Sequence, residues 1–432
     1  MTFIFQASFV CATTNYDYIN GTFEKIKIDI KSIVSKPIKI GNEVLFIGEN
    51  YVYILQENGN IKKIEQKIKN AKNYSSIKLN DNNILFVGAS NLLPSEKFRD
   101  EIYNIIFRNK PNSYSKVKRY NLLTEREKEE FYLPFFKNDA KFLEEYKNYV
   151  KEYENSMYAI LYNVKTNEYK KVGKINVRRS NPKLLLLENG NVLIWNGYAI
   201  AGKQHETETF ELYDSSTKKF IILKDLNCKN CSVFELKNNE IFSSKGEIYN
   251  IKTKNLKKLT ETYWYNPIVI NGEMILNVSG ELYDHKTGKI HRVKNFHLNN
   301  HQKVLKLQNN KILFNSKLSD INIYNIKNDI VEAQCSFLAK RTDNTFNMLL
   351  LNNGQVLFFG GHYNAHKNNS ISQILYSEGY YQNKLELFDP ELNQTKLIKQ
   401  SYSSFLLNPI LLDNGKILFT SENEYILFIP KK

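Results

Sequence analysis

The stretch LLLNNGQVLFF at 349–359 places an Asn-Asn-Gly turn between two apolar runs. The same phrase is written seven more times. It reads IKIGNEVLF at 38–46, IKLNDNNILF at 77–86, LLLLENGNVLI at 184–194 and VFELKNNEIF at 233–242. It returns as IVINGEMIL at 268–276, LKLQNNKILF at 305–314 and ILLDNGKILF at 410–419. Two short β-prone runs joined by a tight polar turn form a hairpin. A hairpin repeated along a chain is the signature of a radial or stacked array. That repeat also explains how 432 residues can form one fold rather than two or three domains.

A second phrase follows the hairpin in most units: an aromatic, Asp or Asn, a short polar turn, then Lys and an apolar residue. It appears at Tyr162-Asn163, Tyr213-Asp214, Tyr249-Asn250, Tyr283-Asp284, Tyr324-Asn325 and Phe388-Asp389. Asp and Asn side chains cap turns and tolerate left-handed backbone. Each unit therefore reads as a four-stranded meander, a–b then c–d, and such units around an axis make an all-β propeller.

In the 348–399 unit, Gly360-Gly361 ends strand b and Phe388-Asp389 ends strand c. This resembles a kelch repeat, the pattern of kelch-like and galactose-oxidase-central-domain-like propellers. Elsewhere the resemblance is thinner. Gly88, Gly197 and Gly280 stand singly, and the late Trp of kelch units is absent. Eight blades are expected, at about 37–66, 77–173, 181–224, 231–260, 267–294, 302–333, 346–399 and 407–430, with seven as the alternative because 77–173 is irregular. The last unit has only three strands. GTFEKIKIDI at 21–30 is expected to supply the fourth, so that no open edge remains.

The expected organisation is an N-terminal extension at 1–20, a single propeller domain at 21–432 and a helical insertion at about 91–156. In the insertion Phe142, Leu143, Tyr146, Tyr149, Val150 and Tyr153 recur at helical spacing. That stripe can pack on the blade rim, or it can act as a lid or partner-binding element. EIYNIIFRN at 101–109 copies EIYNIKTKN at 247–255 and competes for the role of strand c in the second unit. The apolar run Phe3–Ala12, ending Val10-Cys11-Ala12, reads either as a truncated export signal or as an N-terminal strand; export is the expectation, with a cytoplasmic location as the alternative.

The net charge is +15, yet the basic residues form no single stripe; the longest groups are at 116–119 and Arg178-Arg179. Nucleic-acid binding is therefore not expected. No span reaches the roughly 18 apolar residues of a membrane helix. Cys228-Lys-Asn-Cys231 is a lone CxxC without a second pair or flanking His, which reads as structural cysteines or a local disulfide rather than zinc. His362/His366 and His297/His301 have ligand-like spacing, but no acidic or Cys cluster joins them, so no metal or cofactor is expected.

In an a–b–c–d meander the b–c loops and d–a connections share one end. The long segments are b–c loops: 88–157, 197–209 and 360–384. Loops on a rigid scaffold carry recognition. Lys203, His205, His362, Tyr363, His366, Tyr380 and Tyr381 are the candidate ligand-binding residues, because aromatic, imidazole and ammonium groups suit a sugar or a peptide. The expected function is a monomeric, non-catalytic module binding a protein or glycan. The alternative is a carbohydrate-active enzyme at the channel mouth, since kelch-like propellers include sugar mutarotases and copper radical oxidases. Glu206, Glu208 and Glu378 would be its available carboxylates. No P-loop, dinucleotide glycine motif, nucleophile elbow or HExxH is present, and no Cys–Tyr and two-His set of a radical oxidase can be located.

Overall fold

Every a–b turn solves the same problem, reversing a strand within a few residues, and two solutions serve five of the eight blades. In Leu187–Asn191, Leu351–Gln355 and Leu412–Lys416 a glycine takes the left-handed position (Gly190, Gly354, Gly415), and the flanking amides close the loop at 2.8–3.0 Å. In 237–240 and 308–311 both central residues are Asn with φ near +60°, the type I′ geometry matched to strand twist. The c–d turns follow one rule in six blades. The Asx side chain (Asn163, Asp214, Asn250, Asp284, Asn325, Asp389) accepts the amides two and three residues on. Four residues on, the chain turns left-handed, at Asn167, Lys218, Lys254, Gly288, Asp329 and Asn393. Hydrogen bonds from Ser216 and Thr217 hold the Asp214 carboxyl down at about 2.

The computed structural model describes residues 17–68, 71–88, 144, 147–148, 151, 155–201, 203–260, 263–264, 267–277, 279–293, 303–317, 320–339, 346–363, 380–381, 384–401, 406–421 and 424–431. They form eight four-stranded antiparallel sheets, the architecture of an eight-bladed β-propeller. Seven sheets are meanders in chain order, such as Lys183–Leu186, Val192–Trp195, Thr209–Asp214 and Lys219–Asn227 in the third blade. In the eighth, Leu407–Leu411, Ile417–Thr420 and Tyr425–Lys431 take their outer partner from the N-terminus, Asp17–Ile26. This strand begins four residues before the expected start at 21. Strand c of the second blade is Tyr158–Asn163, which removes 101–109 as a competitor for that role. Residues 144, 147–148, 151 and 155–156 of the insertion are helical, as their spacing predicts; the rest of 91–156 lies outside the described residues.

The chain divides into two compact units of four blades each. One is made of 32–40 and 44–262, the other of 1–31, 41–43 and 263–432. Within each unit the core lies between neighbouring sheets. The aromatic before the c–d turn is fully buried and packs against the preceding blade: Tyr162 on the first, Tyr213 on the second, Tyr249 on the third, Tyr324 on the fifth and Phe388 on the sixth. Such a ring buries on the order of 150–250 Å². Burial pushes the Tyr213 hydroxyl up to about 12, with the charge of Asp214 adding to it.

Among the described residues, the outermost strand of each sheet has a partner on one edge only. These eight strands carry fourteen Lys or Arg against six Asp or Glu, so they hold over half of the chain's excess positive charge. Lysines on an edge strand oppose addition of another strand. Much of the basic balance is thus accounted for by edge protection.

The N-terminal strand has no room for side-chain growth at one point. A Cβ on Gly21 would stand 2.6 Å from the Ile429 carbonyl oxygen and from the Phe428 ring. Gly21→Val is expected to lower stability by about 1–3 kcal/mol, the usual effect of overpacking. Urea denaturation checks this, and an unchanged midpoint would mean that the strand does not dock on Tyr425–Lys431.

Candidate functional site

Strand b of the third blade ends at Trp195. Asn196 and Gly197 then turn left-handed, with φ of +53° and +88°. A Cβ at Gly197 would meet the Ser180 carbonyl oxygen at 2.7 Å, so glycine is required here. The chain next forms an antiparallel ribbon, Tyr198–Ala201 against Lys203–Glu206, with Ala199 opposite His205 and Ala201 opposite Lys203. Strand c resumes at Thr209. The ribbon root is also tied sideways: Ser180 and Tyr198 exchange two backbone hydrogen bonds of 3.0 Å.

Beneath this root lies a charged pair with no solvent exposure, Arg179 and Glu211, 3.0 Å apart. Arg179 donates to the carbonyl oxygens of Val177, Asn196 and Thr209, to the Thr207 and Thr209 hydroxyls, and to Glu211. Glu211 accepts further hydrogen bonds from the backbone amides of Asn176 and Val177 and from the Asn176 side chain. Burial lowers the Arg179 pKa and the Glu211 charge opposes that shift. Asn196 before the ribbon and Thr207 and Thr209 after it are thereby tied to one guanidinium. One group is left over: both side-chain polar atoms of Asn196, 4% exposed, find no hydrogen-bond partner among the described residues.

The seventh blade repeats the plan. Strand b ends at Phe359, Gly360 and Gly361 turn left-handed (φ +70° and +95°), and His362–Tyr363 pairs with Tyr380–Tyr381. His362 stands opposite Tyr381, and Tyr363 opposite Tyr380. Glu386, fully buried at the strand-c position of Glu211, accepts the amides of Leu338 at 2.7 Å and Ala339 at 3.3 Å. Where the b–c link is short, the same position serves that link instead. Glu247 pairs with Lys245 at 3.3 Å, and Glu281 accepts from Asn277 and Ser279. A carboxylate two residues before the aromatic is thus visible in the sequence, in FELYD, GEIYN, GELYD and LELFD. Its partner Arg179 lies in the preceding connection, where Val177-Arg178-Arg179-Ser180 is matched in sequence by Ala339-Lys340-Arg341-Thr342 ahead of the seventh blade.

Of the expected binding residues, Lys203 and His205 fall on the third-blade ribbon, and His362, Tyr363, Tyr380 and Tyr381 on the seventh-blade ribbon. His366, Glu378, His297 and His301 lie outside the described residues. Cys228 and Cys231 are buried, unlinked thiols. Among the described residues, no group of three or more His, Cys, Asp or Glu is placed to hold a metal ion. No helix among them is long and apolar enough to cross a membrane.

No family model and no curated protein matches this chain. Solved structures do match. A fungal alcohol oxidase of the AA5 family, in complex with copper, is 11% identical over 95% of this chain and 76% of its own, with a TM-score of 0.46. The computationally designed Ika8 protein is 10% identical over 96% of this chain and 100% of its own, with a TM-score of 0.54. At this identity the likeness is one of fold alone.

Removing one member of a buried ion pair strands the other. Glu211→Gln is expected to cost about 3–5 kcal/mol. The denaturation midpoint checks this; an unchanged midpoint would deny that Arg179 depends on Glu211 for its charge balance.

Proposed function

We propose that this chain is a recognition module, binding a protein or glycan through the ribbons formed by its long b–c loops. One observation carries the reading. The third-blade ribbon grows from a root immobilised by Arg179 and Glu211, and that root keeps an unpaired buried amide, Asn196. A ribbon held this firmly loses little conformational freedom when a ligand docks, which is how preorganised loops gain affinity. The residue types agree with that role. Lys203 and His205 offer ammonium and imidazole groups, while His362, Tyr363, Tyr380 and Tyr381 offer rings that stack on sugars or pack on peptides.

A glycan array read at low and at physiological salt tests the reading, followed by titration of any ligand against two double variants. Lys203→Ala with His205→Ala, or Tyr380→Ala with Tyr381→Ala, is expected to weaken binding about tenfold or more at an unchanged melting temperature. Hits on every polyanion that fade with salt would reduce the interaction to bulk charge. Consumption of the bound sugar would favour the enzymatic alternative.

A further inference from the structure

Cys228 and Cys231 sit in the connection between the third and fourth blades, directly behind the ribbon root. Both thiols lie in the core shared by these blades, with Trp195, Phe210, Leu226 and Val233. Cys228 is 6% exposed and Cys231 fully buried, while Lys229 and Asn230 between them are exposed. Asn230 is left-handed (φ +59°), which folds the segment back so that the Cys231 Sγ lies 4.0 Å from the Cys228 carbonyl oxygen. A hydrogen bond from Cys231 lowers the Cys228 thiol pKa, and the Lys245 ammonium lowers it further; the same contact, with burial, raises Cys231. The two thiols are thus unequal, Cys228 being the more acidic of the pair.

The backbone of this turn contacts both ends of the ribbon. The Cys231 carbonyl accepts the Trp195 indole N–H at 3.1 Å and the Lys183 ammonium at 3.3 Å. The Cys228 amide donates to the Glu208 carbonyl at 3.0 Å. Trp195 is the last residue before the ribbon root, and Glu208 lies two residues after the ribbon ends. These contacts are made by main-chain atoms, so a change in the backbone of this turn reaches the residues that flank the ribbon.

We propose that Cys228 and Cys231 form a reversible dithiol–disulfide site whose state is transmitted to the 198–206 ribbon. With glutathione disulfide as oxidant, the Cys228 thiolate attacks one sulfur of the disulfide and releases a glutathione thiolate. Cys231 then loses its proton and attacks the Cys228 sulfur, expelling the second glutathione. The protein loses two electrons and two hydrogens, and glutathione disulfide becomes two glutathione molecules. Closing the ring re-aims the Cys231 carbonyl and the Cys228 amide, the groups that hold Trp195 and Glu208. The inference requires no ligand and stands apart from the recognition reading.

The test uses the full chain equilibrated in glutathione buffers from fully reduced to fully oxidised, then alkylated and mapped by mass. The expected result is joint loss of alkylation at Cys228 and Cys231 with a mass lower by two hydrogens, while Cys335 stays alkylated. Cys231→Ser should trap a glutathione adduct on Cys228. Amide exchange at 198–206 should differ about tenfold between the two forms. Alkylation of both thiols in oxidised, folded wild-type protein overturns the site. A disulfide that leaves exchange at 198–206 unchanged overturns its transmission to the ribbon.

Discussion

The structure depends on a single contact made repeatedly: the strand-c aromatic of one blade buried against the sheet before it. A four-stranded sheet alone has two faces and cannot cover either. Tyr162, Tyr213, Tyr249, Tyr324 and Phe388 each place a ring in the gap between neighbouring blades. At Tyr324 the hydroxyl also reaches the turn end, where it donates to Asp329 at 2.7 Å, whereas the Tyr213 hydroxyl is buried without a hydrogen-bond partner among the described residues. The next residue, Asp or Asn, then caps the turn that returns the chain. Packing and reversal are thus written in two adjacent letters.

The sequence makes the scaffold legible for that reason. Hairpin and aromatic-Asx phrases are local, and each specifies its own turn through side-chain caps and left-handed Asn or Gly. Eight blades, with seven as the alternative, and an N-terminal strand on the last were readable, although that strand starts at Asp17 and the second blade at Tyr74. The ribbons were not: Tyr198–Ala201 and His362–Tyr363 read only as loop, because pairs this short carry no periodicity. Nor was the Arg179–Glu211 pair, since its members stand 32 residues apart and meet only through folding. The candidate residues that are described, six of the seven, fall on the ribbons because long b–c loops had already been singled out by length.

Glu211 and Glu386 show how a repeat acquires function without losing its fold. The same strand-c carboxylate closes a short b–c turn in the fourth and fifth blades, and is released to hold the preceding connection where the loop is long. In the third blade the long loop thus leaves that carboxylate paired, with Arg179. The edge lysines complete the design from the other side, since they oppose strand addition at the outer strands.

The most direct test of the account is amide hydrogen exchange on Tyr213→Ala. Removing a buried ring of this size costs about 3–5 kcal/mol. If the aromatic joins blades, protection falls in Asn83–Gly88 and Tyr158–Asn163 of the second blade as well as in the third. Loss confined to Thr209–Asp214 and Lys219–Asn227 would contradict the account, because each blade would then be stabilised from within.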